Sequence, residues 1–277
     1  MINSIQYILR RIKYAKKVNK LNFSAAGIDD QNDPWVEFDG LRFHGEPSNE
    51  KDRKYYNLLS KKIKKNLPFE AFRTAQDIII RYVESGLMIG GPFKEDFYRV
   101  KEGDTVAEMG AFMGFFIMKM CKRVGSNGQV IAIEPLEDNL YYLKKNIEYN
   151  GFNQCSVVPK GVWKEQGYVN FNRKDSDHQS GSIVITERNE NHSLPVADLD
   201  TIMNDLNVKS CDLMVVQLNG VEPEAIEGMT VFAPKNYAIA ARYNRDGMDA
   251  IERITKVLKA RDYKISLVKE KFIFANK

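Results

Sequence analysis

The chain has 277 residues, 43% hydrophobic and 28% charged, which is enough for one large α/β domain or two smaller ones and excludes a disordered or fibrous class. Its 41 basic and 37 acidic residues leave a net charge of +4, interspersed over most of the length, so a nucleic-acid partner is not implied. No apolar run approaches the ~20 residues of a membrane span, and no signal-like apolar region opens the chain, so a cytoplasmic protein is expected.

The first twenty residues, MINSIQYILRRIKYAKKVNK, carry six basic side chains and no acidic one. Ile2, Ile5, Ile8, Leu9, Ile12 and Ala15 recur there at helical spacing, which predicts a basic amphipathic helix. Such a helix either packs on the body with its basic face in water, or makes a peripheral contact with a membrane surface or an acidic partner. After an Asn/Asp/Gly-rich loop, AGIDDQNDP, the stretch WVEFDGLRFH reads as two strands joined at Asp39-Gly40, a strong hairpin signal. Two helices are expected next, over 50–67 and over 68–86, the second opened by Pro68 and closed by Gly86. Residues 1–100 are therefore expected to form a mostly helical cap on a second domain, 101–277.

From residue 104 apolar strands alternate with helices. DTVAEMG, GQVIAIEP and CSVVPKGVW read as strands, separated by a helix ending at Gly125 and another ending at Gly151. That order predicts a parallel, doubly wound sheet with right-handed crossovers. GYVNF and SIVIT follow as a strand-like insertion. Then come strand CDLMVVQL, helix EPEAIEGMTVF, strand YAIAARY, helix GMDAIERITKVLKARD and a closing strand pair, YKISLV and KFIFAN. Cys121, Cys155 and Cys211 lie in apolar or strand-like stretches without a CxxC pattern, which reads as core thiols in a reducing compartment, with no metal site.

Gly110 and Gly114 stand at the turn from the first core strand to its helix, where a ligand can approach backbone closely and meet the helix N-terminus. A pyrophosphate would be repelled by Glu108, two residues before that turn, whereas a ligand amine would suit it. Glu134, ending the second core strand, is placed to accept hydrogen bonds from both hydroxyls of a ribose. A ribose joined to an amino-acid cation, without phosphate, describes S-adenosylmethionine (AdoMet).

The segments GDTVAEMGAFMGFF, VIAIEPLEDNLYYLKKNIEYNGF, PVADLDTI and VVQLNGVEPEAIEGM, in this order and spacing, resemble the FkbM-type methyltransferases, a branch of the class I, Rossmann-like AdoMet-dependent enzymes. The resemblance covers about residues 95–275 and implies a seven-stranded doubly wound sheet ending in an antiparallel hairpin. It implies an AdoMet loop made by Glu108, Gly110, Ala111 and Gly114, and a ribose wall made by Glu134 with Pro135 and Asn139. It also implies adenine beside Val158, Gly161 or Val162. The chain departs from the family pattern at Glu108, usually Asp, and at Phe112, usually Asn. Gln217 and Asn219 stand where the family tends to read Asp and Glu, while Gly220 and Glu222 are kept.

The resemblance implies transfer of a methyl group to a hydroxyl of a small molecule, a sugar or a glycan, with Gln217 and Asn219 at the reacting end. An aliphatic hydroxyl must lose its proton, and an amide neither takes a proton nor binds a divalent cation well. The first candidate for a substitute base is His178, in the polar stretch DSDHQSGS, oriented by Asp177 or Asp175. His44 and His192 are the remaining histidines. The competing reading is an AdoMet- or AdoHcy-binding protein of weak or lost catalysis with a scaffolding role. RNA methylation is disfavoured, because basic residues are not interleaved with aromatics over residues 101–277.

Overall fold

A computed structural model describes residues 22–46, 78–79, 81–82, 85–86, 93–173, 181–184, 193–241, 249–268 and 271–277. The basic N-terminal segment, the helix expected over 50–67, most of that expected over 68–86, and Asp175, Asp177, His178 and His192 lie outside these residues. The chain divides into two compact units, Met1–Ser85 with Glu148–Gly151, and Gly86–Ile147 with Phe152–Lys277.

In the first unit, β1 (Phe23–Ile28), β2 (Pro34–Phe38) and β3 (Leu41–His44) form an antiparallel sheet in that order. The hairpin falls where Asp39-Gly40 predicts it. Both residues have positive φ, 54° and 74°, as a two-residue turn that matches strand twist requires. Val36, Phe38 and Phe43 are buried, and Phe38 and Phe43 stack at 4.6 Å between centroids with Tyr82 edge-on to both. β1 corrects the sequence reading, in which its last three residues belong to a loop. Pairing with β2 from Ala25↔Glu37 to Ile28↔Pro34 overrides the turn-like composition that follows it.

The second unit opens with β4 (Thr105–Met109), α1 (Phe115–Val124), β5 (Gln129–Ile133), α2 (Glu137–Tyr149, whose end belongs to the first unit) and β6 (Cys155–Val158). An insertion follows: β7 (Gly161–Val162), β8 (Gly167–Arg173), β9 (Gly181–Val184) and β10 (Ser193–Ala197). The core resumes with α3 (Leu199–Asp205), β11 (Leu213–Val216), α4 (Glu222–Glu227), β12 (Asn236–Ala240) and α5 (Ala250–Ala260), and closes with β13 (Lys264–Val268) and β14 (Phe272–Asn276).

The main sheet has seven strands in the order β13-β14-β12-β11-β4-β5-β6, and β14 alone runs against the direction of the other six. This is the class I methyltransferase-like sheet that the resemblance implies. Its inner strands are near-continuous apolar runs, as burial on both faces demands: all four residues of β11 and the last four of β4 and β5 are buried. From β4 the chain steps outward to β5 and β6 on one side, and later to β11 and β12 on the other. The crevice of such a sheet opens at the carboxyl ends of the strands where the direction reverses, here β4 and β11.

Three boundaries differ from the sequence reading. The strand expected over 155–163 is two: β6 pairs with β5 as far as Val158, and Gly161-Val162 pairs with β10 in a separate four-stranded sheet, β7-β10-β8-β9. Pro159, which has no N–H for a ladder, stands between them. The helix expected over 222–232 stops at Glu227, and its C-cap, Gly228, lies against the Lys164 backbone, where an added Cβ would be 2.5 Å from Cα. α5 starts late, at Ala250, where the Asp249 carboxylate caps it by accepting from the Ile251 and Glu252 N–H groups.

Candidate active site

The loop from β4 to α1 is shaped by residues with positive φ. Gly110 has φ 86°, and a Cβ there would lie 2.4 Å from the Gln217 carbonyl oxygen, so the end of β4 and the end of β11 touch through backbone. Gly114 has φ 85°, and a Cβ there would lie 2.6 Å from Leu143 Cδ1, so its bareness lets α1 start against α2. The amides of Gly110 and Ala111 both donate to the Ile133 carbonyl, at 2.9 and 3.0 Å. Phe112 is also left-handed, with φ 53°, a conformation a bulky side chain rarely adopts.

Glu134 holds that loop in place. Its Oε2 accepts from the Phe112 N–H at 2.8 Å, and its Oε1 accepts from the Leu136 N–H at 3.1 Å and Asn139 Nδ2 at 3.0 Å. Burial pushes this carboxyl above its usual range, against the pull of these donors. One carboxylate thus joins the glycine loop to the first turn of α2. With two donors on Oε1 and one on Oε2, Oε2 keeps an acceptor position for a ligand hydroxyl.

Glu108 has a partner within the chain. Its Oε1 accepts from Lys94 Nζ at 2.5 Å, and both side chains are buried. The Lys94 ammonium also lies 4.4 Å from the centroid of the Phe116 ring. Burial raises the Glu108 carboxyl above its ordinary value, opposed by Lys94. Sequence reading missed Lys94, because nothing in the local pattern PFKED marks a lysine that folds inward.

At the end of β11, Gln217 donates its backbone N–H to the Met109 carbonyl at 3.1 Å, while its side-chain Oε1 is buried and has no hydrogen-bond partner among the described residues. Asn219 has φ 56°, in the region that Asn tolerates better than most residues. The loop around it is tied by Glu222, whose Oε1 and Oε2 accept from the N–H groups of Leu218 and Gly220, each at 2.8 Å. Burial raises the Glu222 carboxyl from 4.5 to about 7, with those amides pulling the other way. A carboxylate titrating near neutrality is a second feature absent from the sequence reading, although Glu222 and Gly220 are the positions at which this segment keeps the family pattern.

Pro135 and Gly161 come together, since a Cβ on Gly161 would lie 3.9 Å from Pro135 Cβ and 3.0 Å from Val196 Cγ1. Val162 is buried in the hydrophobic core. Glu108, Gly110, Ala111, Glu134, Pro135, Gln217 and Asn219 thus gather at the carboxyl ends of β4, β5 and β11, with Gly114 as the N-cap of α1 and Asn139 in the first turn of α2. His44 belongs to the first unit, buried, with Nε2 3.4 Å from Asp29 Oδ2 and its ring edge-on to Tyr149. Cys121 and Cys211 are buried and Cys155 is half-buried. The Cys121 and Cys155 thiols meet, and that contact together with burial drives Cys121 upward, away from the reactive thiolate.

Residues 106–265 match the methyltransferase FkbM domain. A solved structure of methyltransferase FkbM from Methylobacillus flagellatus is 14% identical, with 97% of this chain and 60% of that one covered and a TM-score of 0.48. A SAM-dependent methyltransferase from Aquifex aeolicus is 17% identical over 64% of this chain and 82% of its own, with a TM-score of 0.34. Fibrillarin from Aeropyrum pernix, solved with natively bound S-adenosyl-L-methionine, is 11% identical over 92% and 98%, with a TM-score of 0.41. No curated protein sequence matches. The domain match, spanning more than half of a chain whose sheet has the methyltransferase strand order, places this protein in the FkbM methyltransferase family, with S-adenosylmethionine as its cofactor.

Proposed function

We propose that the protein is an AdoMet-dependent O-methyltransferase acting on a hydroxyl of a small molecule, including a sugar or glycan unit. The observation that carries this reading is Gln217 Oε1, a buried acceptor without a partner among the described residues, at the end of β11 beside the Gly110 turn. Leaving such an atom unpaired costs about 1–3 kcal/mol, and a substrate hydroxyl is a donor that satisfies it. The remaining groups fit the cofactor. Glu134 Oε2 can accept from a ribose hydroxyl, Pro135 and Gly161 offer a small apolar wall, and Glu108 faces the amino-acid end.

When bound, AdoMet supplies an electrophilic methyl on a sulfonium. Gln217 would hold the acceptor hydroxyl by its proton, turning an oxygen lone pair toward that methyl. Alignment and exclusion of water supply much of the rate. The amide cannot remove the proton, so the hydroxyl would turn from Gln217 to a base as its oxygen takes the methyl from sulfur, and we assign that base to His178, with Asp175 or Asp177 to orient it. The basic segment 1–20 suits peripheral attachment to an anionic membrane surface, where glycolipid hydroxyls would be presented.

Incubation with methyl-labelled AdoMet and a panel of sugars, glycolipids and small alcohols, followed by mass spectrometry of the products, tests the reading. A labelled methyl ether supports it. Label on nitrogen, carbon or RNA contradicts it. Tight AdoMet binding without transfer to any hydroxyl would favour the alternative, a binding protein of lost catalysis.

A further inference from the structure

We infer that Lys94 binds the α-carboxylate of AdoMet while Glu108 takes its α-ammonium, the buried pair acting together as a receptor for the methionine zwitterion. This rests on the reading above that the cofactor lies along the loop after β4.

Lys94 and Glu108 are 4% and 2% exposed, and both belong to the second unit. Glu108 stands on β4 two residues before Gly110, and Lys94 comes from the segment preceding that strand. An ammonium has three N–H donors. Among the described residues, Lys94 Nζ gives one to Glu108 Oε1 and faces the Phe116 ring, with no further acceptor. An ion pair taken out of water recovers its desolvation cost only when additional hydrogen bonds complete both partners. This pair has spare donors on one side and a second carboxylate oxygen on the other, so the described residues leave it incomplete.

The chemistry of the missing partner follows from its two signs. A phosphate or simple carboxylate would gain Lys94 but be repelled by Glu108. A lone amine would gain Glu108 but be repelled by Lys94. A group carrying a carboxylate and an ammonium on one carbon meets both with opposite charges, beside Lys119, whose charge also acts on Glu108. The amino-acid end of AdoMet is such a group.

Calorimetry with AdoMet, decarboxylated AdoMet and methylthioadenosine separates the contributions, since the second lacks only the carboxylate and the third lacks the whole amino-acid end. In Lys94→Met, AdoMet should bind about tenfold to a hundredfold more weakly, while decarboxylated AdoMet and methylthioadenosine change little. Lys94→Arg should recover part of the preference for AdoMet. The double variant Lys94→Met with Glu108→Gln leaves no unpaired buried charge and is measured in the same way if the single variant does not fold. In either variant the preference for AdoMet over its decarboxylated form should vanish. A preference that persists, or an equal loss for all three ligands, would overturn the inference and make Lys94 a structural partner of Glu108. Glu134→Ala, which should weaken binding of all three ligands, tests the placement of the cofactor separately. If it changes none of them, the site reading fails whatever Lys94 does.

Discussion

Gln217 and Glu222 put opposite demands on the end of β11. Gln217 carries a buried oxygen that no described residue satisfies, so Gln217→Met, similar in length and apolar, should raise the free energy of unfolding by roughly 1 kcal/mol. The same change should lower kcat/KM for the hydroxyl acceptor by about tenfold or more. A variant that is both less stable and equally active contradicts the assignment. Glu222 sets a pH dependence. Its carboxyl is raised from 4.5 to about 7, so the folded state holds the proton more tightly than the unfolded chain. The stability this contributes is therefore complete below about 4.5 and lost as pH rises through about 7. Chemical denaturation from pH 5 to 8 should show wild type losing stability relative to Glu222→Gln, which does not titrate, and a difference independent of pH would refute the shift. The two amides were legible in the sequence as an anomaly against the family pattern. Their consequences were not, because an orphaned oxygen and a buried carboxylate are properties of packing between β11, β4 and α4.

At the level of elements, the turn after β4 is fixed by contacts that glycine alone permits. Gly103, Gly110 and Gly114 share nearly the same φ, 82°, 86° and 85°, but differ in what a methyl would meet: nothing, the Gln217 backbone, and the tip of the Leu143 side chain. Gly103→Ala should cost about 1–2 kcal/mol, the penalty of the left-handed conformation alone. Gly114→Ala should cost more, and Gly110→Ala most, about 3 kcal/mol or beyond, because backbone cannot step aside. Melting temperatures of the three variants test the order, and any other ranking would mean the loop can rearrange. Most core strands and helices could be read from periodicity and glycine punctuation, since burial on both faces leaves apolar runs that no other arrangement explains. Three of those misjudged turn on contacts between separate stretches of chain: β7 with β10, Gly228 with Lys164, and β1 with β2. The late start of α5 is local, set by the Asp249 cap.

On the scale of the whole second unit, the antiparallel closing hairpin was the sequence feature that distinguished this sheet from other doubly wound folds, and β14 lies between β12 and β13 accordingly. The four-stranded sheet of the insertion was only partly legible. Its two hairpin strands show as apolar runs, but the parallel pairing of Gly161-Val162 with Val196-Ala197 joins residues far apart in the chain. The sheet order places the crevice between β4 and β11, and the account stands on the cofactor occupying it with its reacting end toward Gln217. A crystal structure of the complex with AdoHcy tests this most directly. The ribose hydroxyls are expected at Glu134, the amino-acid end at Glu108 and the sulfur facing Gln217. A ligand bound away from the carboxyl ends of β4 and β11, or turned so that adenine lies beside Gln217, would contradict it.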